Sequence, residues 1–140
     1  MNSYKNAEGY SDPTAGQAFA NISREEKVIK KYLLLVYIAS PFAGDVENNI
    51  HRAREYCKFA VNKGCIPLAP HLHYPQFMDD SDPSSRELGL KFALVLLAKC
   101  DELWVFGETI SQGMAREIAK AENRGMPIRY FNENFMEVSR

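Results

Sequence analysis

The sequence predicts an α/β protein, with helices covering both faces of a four- to five-stranded parallel sheet. Three observations carry that expectation. "YLLLVYIA" (32–39) is a continuous apolar run rich in strand formers, the pattern of a strand buried on both faces. Val46, Ile50, Ala53, Cys57, Ala60 and Val61 keep the 3.6-residue period of a helix. Segments of these two kinds then alternate down the chain, as parallel strands joined by crossover helices require.

Taken in order, residues 1–31 differ from the rest. They are polar and rich in small residues, and Asp12 followed by Pro13 is a cap-then-proline helix start. A helix from Pro13 to about Lys30, with Ala15, Ala18, Phe19 and Ile22 on one stripe, has too little apolar area to stand alone. We read it as an N-terminal helical arm. The body, 32–140, opens with the strand at 32–39 and the turn "SPFAGD". A helix follows from about Val46 to Lys63, with Asp45 able to cap its start and Gly64 able to end it. "CIPLAP" (65–70) is a short second strand, and "HLHYPQFMDDSDPSS" a long loop. Asp82-Pro83 starts a second helix that reaches about Lys99. "DELWVFG" (101–107) is the third strand, 112–124 the third helix, stopped by Gly125, and "MPIRYF" (126–131) the fourth strand. With right-handed crossovers this is a flavodoxin/Rossmann-like three-layer sandwich.

Composition narrows the function. The net charge is −1 and no basic stripe appears, so a nucleic-acid partner is not expected. Cys57, Cys65 and Cys100 form no CxxC pair; the odd count suits reduced thiols in a cytoplasmic protein. No signal-peptide pattern is visible. The longest apolar run, "FALVLLA" (92–98), is too short to span a bilayer. That run still leaves the second helix without a polar face over two turns. One side packs on the sheet; the other needs cover from a partner subunit or the arm, and a homo-oligomer built through helix 84–99 and the arm is preferred to burial within the monomer under the arm. No cofactor is expected.

In doubly wound sheets, ligands bind beyond the carboxyl ends of the strands, at the point where the strand order reverses. "SPFAGD", "PHLHYP" and "GETISQGM" should meet there. Ser40, Pro41 and Phe42 are candidate lining residues from the first segment, with Phe42 either a stacking face for a base or a core residue. Glu117 lies at the edge of the stripe formed by Met114, Ile118 and Ala121. It is either a solvated helix glutamate or a carboxylate presented to a ligand and kept ionised by the helix N-terminus. Gly113 lets backbone approach a ligand, Ser111 caps the helix or binds an anion, and Met114 follows them. His71 and His73 would share one side of a strand, a conceivable metal pair. No third ligand stands at a telling spacing, so contact between His71 and substrate is preferred and no metal is expected. "DDSDPSS" is a lid edge or a solvated loop.

Tyr37 to Phe42 form a "Y-[IL]-A-x-P-F" type start, Asp101 precedes the third strand, and Ser111, Gly113, Glu117, Ile118 and Ala121 match "[DS]-x-G-x-x-x-E-[IL]-x-x-A". On these pieces residues 32–131 resemble nucleoside 2-deoxyribosyltransferases and their relatives, the nucleoside 5′-monophosphate N-glycosidases. The resemblance implies a small-molecule nucleoside or nucleotide substrate. It implies that Glu117 attacks the anomeric carbon, a base leaves, and a second base or water takes the sugar from a covalent glycosyl-enzyme. It also implies a meaning for Ser111. Transferases of free nucleosides typically carry aspartate there, whereas serine accompanies a 5′-phosphate, which an aspartate would repel. One departure is Ala93, where the family commonly carries an acidic residue that helps handle the base. Asp45 or His71 would have to substitute; otherwise the site binds a nucleotide without turnover.

Overall fold

The computed structural model describes residues 33–140; the arm at 1–31 and its helix lie outside the described residues. The elements are β1 (Leu35–Ala39), α1 (Val46–Asn62), β2 (Ile66–Leu68), a one-turn α2 (Pro70–His73) running into a 3₁₀ turn (Tyr74–Gln76), α3 (Pro83–Leu97), β3 (Glu102–Phe106), α4 (Gln112–Asn123), β4 (Ile128–Phe131) and β5 (Glu137–Val138). Each long helix starts on an expected cap. Asp45 accepts the Asn48 N–H at 3.3 Å, Asp82 the Ser85 N–H at 3.4 Å, and Ser111 the Met114 N–H at 3.2 Å. Gly64 and Gly125, at φ 79° and 67°, turn the chain out of α1 and α4 in the left-handed region that glycine tolerates.

The strand order is β2-β1-β3-β4-β5. β1 pairs in parallel with β2 and β3, and β3 with β4, with Tyr37 opposite Leu68 and Leu103. The order reverses between β1 and β3, so the crevice of a doubly wound sheet opens there. Alternation along the strands divides the core into two. Val36, Ile38, Trp104, Phe106 and Phe131 point to the face covered by α1, where they meet Tyr56 and Ala60. Tyr37, Ala39, Leu103 and Val105 point to the other face, where they meet Ala93 and Leu97 of α3 and Met114 and Ala121 of α4. The expected three-layer sandwich is therefore present, and Tyr37 shares a face with the helix that carries Glu117.

At the amino ends of the strands, Asp101 Oδ2 accepts the Leu35 N–H at 2.8 Å while the Asp101 N–H donates to Leu35 O at 2.7 Å. This aspartate clamps the start of β1 to the start of β3, far along the strands from the crevice.

The structure differs from the sequence reading in two places. Residues 70–76 are helical rather than strand and loop, because Pro70 takes the first helical position, where its missing N–H costs nothing. The sheet is not wholly parallel: β5 folds back antiparallel on β4, pairing Tyr130 with Val138. It is pinned by Arg129, whose Nε and Nη2 donate to Glu137 at 3.0 and 2.7 Å, and whose guanidinium lies 4.9 Å over the Trp104 ring. On α3, one side packs on the sheet as expected and the described residues leave the other side open. Ala93 and Leu97 are buried, whereas Leu88, Phe92 and Val95 are 46%, 38% and 58% exposed.

Candidate functional site

A cavity of about 190 Å³ opens beyond the carboxyl end of β1. Its walls come from four stretches of chain: the turn after β1, the helical segment 70–75 with its continuation to Asp80, the first half of α3, and the opening turns of α4. All eight residues singled out from the sequence reach it: Ser40, Pro41, Phe42, His71, Ser111, Gly113, Met114 and Glu117.

Glu117 is half-buried on α4 and lines the cavity. Burial pushes its carboxyl group up to about 7, and the neighbouring Tyr37 hydroxyl draws it partly back. The expectation that the helix N-terminus keeps this group ionised is corrected. The dipole acts within the first turn, Glu117 is the sixth residue of α4, and desolvation outweighs what field remains. Burial and the Glu117 charge together raise the Tyr37 phenol well above its ordinary value, so it stays an O–H donor.

Ser40 is buried, and its Oγ lies 2.8 Å from His71 Nε2. Burial lowers the imidazole to about 4, so His71 is neutral at pH 7. His73 does not share its side. On a helical turn, residues two apart point away from each other, and His73 is exposed against the rings of Tyr74 and Phe77. Among the described residues no three metal-ligating side chains gather.

Ser111 takes the capping role, accepting from Met114, which leaves its hydroxyl proton free to donate. Met114 is 1% exposed, so it is first a core residue and only grazes the cavity. A Cβ at Gly113 would meet Leu90 Cδ2 at 3.6 Å, an ordinary contact, so space does not demand glycine there. Asp45 is corrected as a possible proton source: it is exposed, caps α1 and does not line the cavity. Ala93 does line it.

The sequence reading missed Tyr37 as a partner of Glu117, along with Tyr74, Asp79, Asp80 and Arg86 as lining residues. For Tyr37 a signal existed: period-2 alternation puts it on the β1 face opposite Val36 and Ile38. Arg86 makes no ion pair among the described residues, whereas its neighbour Glu87 is held by Arg116 at 3.3 Å.

The fold and the cavity define a doubly wound α/β domain with a carboxyl-bearing crevice at its switch point. The chain belongs to the family described as a domain of unknown function, DUF7768, which matches over residues 34–131. No curated protein matches it in sequence. Among solved structures it is similar to a 2-deoxyribosyltransferase from Bacillus psychrosaccharolyticus, at 19% identity and a TM-score of 0.58, over 76% of this chain and 77% of that one. A conserved protein from Enterococcus faecalis V583 gives 20% identity and a TM-score of 0.49, over 71% of this chain and 63% of that one. A 2-desoxiribosyltransferase from Leishmania mexicana gives 19% and 0.47, over 71% and 64%. The Bacillus structure establishes a shared fold, and at that identity the fold alone.

Proposed function

We propose that the chain cleaves or transfers the N-glycosidic bond of a nucleoside or a nucleoside 5′-monophosphate, with Glu117 as nucleophile. The observation that carries this reading is the carboxyl group of Glu117, held in the cavity at the switch point beside Tyr37. Its ionised form attacks the anomeric carbon, the base departs, and the glycosyl ester passes to water or a second base with retention. Tyr37 orients the attacking oxygen. A group near 7 is ionised in about half the molecules at neutral pH, which is compatible with a nucleophile whose rate rises with pH. The fold shared with a 2-deoxyribosyltransferase agrees with this chemistry. The Ser111 hydroxyl and Arg86, which makes no ion pair among the described residues, line the same cavity and favour a 5′-monophosphate.

A second reading, nucleotide binding without turnover, is favoured by Ala93 and by the neutral state of His71, which leave no evident acid for the base. One experiment separates them. The protein is incubated with a panel of nucleosides and 5′-monophosphates, and released base is followed by chromatography. Release that is lost in Glu117→Gln supports the enzyme; ligand-dependent thermal stabilisation without release supports the binding module. Two features belong to the same proposal. The exposed Leu88, Phe92 and Val95 face seats a second copy of the chain, and the free Cys57, Cys65 and Cys100 suit a reducing cytoplasm.

A further inference from the structure

The proposed reaction leaves one requirement unmet: a neutral base needs a proton as it departs. Among the described lining residues, the family's acidic position and the three groups nearest to replacing it do not supply one. His71 is bonded through Nε2 to Ser40 and is neutral at pH 7. Tyr37 is buried beside the Glu117 charge, and both hold its proton in place. Asp79 accepts the Ser81 N–H at 2.9 Å and the Ser81 hydroxyl at 2.6 Å, bonds that favour its ionised form. On the α3 wall, position 93 presents only a methyl group.

A second observation concerns the walls themselves. Three carboxyl groups, Asp79, Asp80 and Glu117, line the cavity against one guanidinium, Arg86. The rings of Phe42 and Tyr74 line the same cavity. Carboxylates combined with aromatic faces attract a flat cation.

We propose that the substrates are N-glycosides whose base carries a fixed positive charge, such as a pyridinium riboside or a 7-alkylpurine nucleoside. This rests on the reading of Glu117 as nucleophile and specifies its substrate class. A Glu117 oxygen bonds to C1′ as the C1′–N bond breaks. The electron pair of that bond passes into the base and neutralises its charge, so the base leaves without taking a proton. Water then adds at C1′ and the ester bond breaks. The freed sugar keeps the hydroxyl, one proton goes to solvent, and the Glu117 carboxylate is restored.

The test compares nicotinamide riboside and 7-methylguanosine with uridine and guanosine, each also as its 5′-monophosphate. Released base is measured by chromatography and corrected for spontaneous loss. The expected result is Glu117-dependent cleavage of the charged glycosides, with the uncharged ones slower by at least about 100-fold, the lower end of what a general acid contributes. A smaller gap, with release still abolished by Glu117→Gln, overturns the substrate class and leaves the nucleophile standing. If no glycoside is cleaved, or if Glu117→Gln cleaves as fast as the parent, the nucleophile reading fails and the substrate class falls with it.

Discussion

Replacing Glu117 with glutamine isolates the energetic cost of holding a carboxylate in this cavity. Glutamine matches the protonated acid in shape and still accepts from Tyr37, but it does not ionise. In the folded protein Glu117 is raised from 4.5 to about 7 by burial. At about 1.4 kcal/mol per pH unit, that rise corresponds to about 3 kcal/mol. The sign follows from proton linkage. Between pH 4.5 and 7 the folded state binds more protons at this site than the unfolded chain does, so stability falls as pH rises. Below that window both states are protonated and the cost vanishes; above it the full cost is present. Urea denaturation of the parent and Glu117→Gln, at pH 4.5 and pH 8.5, measures the difference. The variant should gain about 2–3 kcal/mol over the parent between the two conditions, with other titrations cancelling in the comparison. A gap that is flat with pH would mean that Glu117 is solvated, and the burial argument would fail.

Three further outcomes follow from the same geometry. Tyr37→Phe removes the hydroxyl beside Glu117 that favours the ionised acid, so the acid limb of kcat/KM should move up by about one to two pH units; a pH–rate profile with an unmoved limb excludes Tyr37 as the positioning residue. Asp101→Ala breaks the clamp between the starts of β1 and β3 and should cost about 1–3 kcal/mol in urea while leaving nucleotide affinity unchanged; a loss of affinity without a loss of stability contradicts the structural role. Val95→Asp places a charge on the exposed apolar face of α3; on the proposal that this face seats a second copy, the parent should sediment as an oligomer and the variant as a monomer without a lower Tm, and equal sedimentation coefficients for the two remove that face as the contact.

The parts of the fold legible in sequence were those where local chemistry and tertiary placement agree. β1 is buried on both faces, so its residues need no alternation and "YLLLVYIA" reads plainly. Asp45, Asp82 and Ser111 signal their helices because capping is a local act. The turn at 70–76 was hidden because Pro70 and Pro75 suggest loop, and a single helical turn has too few residues to show a period. β5 was hidden because two residues carry no pattern; its pairing depends on Arg129, eight residues before Glu137. At the site, the loops that meet could be named from topology. The protonation of Glu117 could not, because it depends on how deeply α4 and β1 together sink one side chain, and that is a property of packing rather than of spacing.

The short return strand has a practical consequence. A two-residue partner is a weak cover for the border of a sheet, and here it holds because an arginine fork grips it from β4 and rests on Trp104 and Phe131. Were that fork lost, β4 would offer a bare row of amides and carbonyls for strands of neighbouring molecules to extend. Arg129 thus guards solubility, and a variant lacking it would be expected to accumulate as insoluble protein while the crevice beyond β1 remained intact.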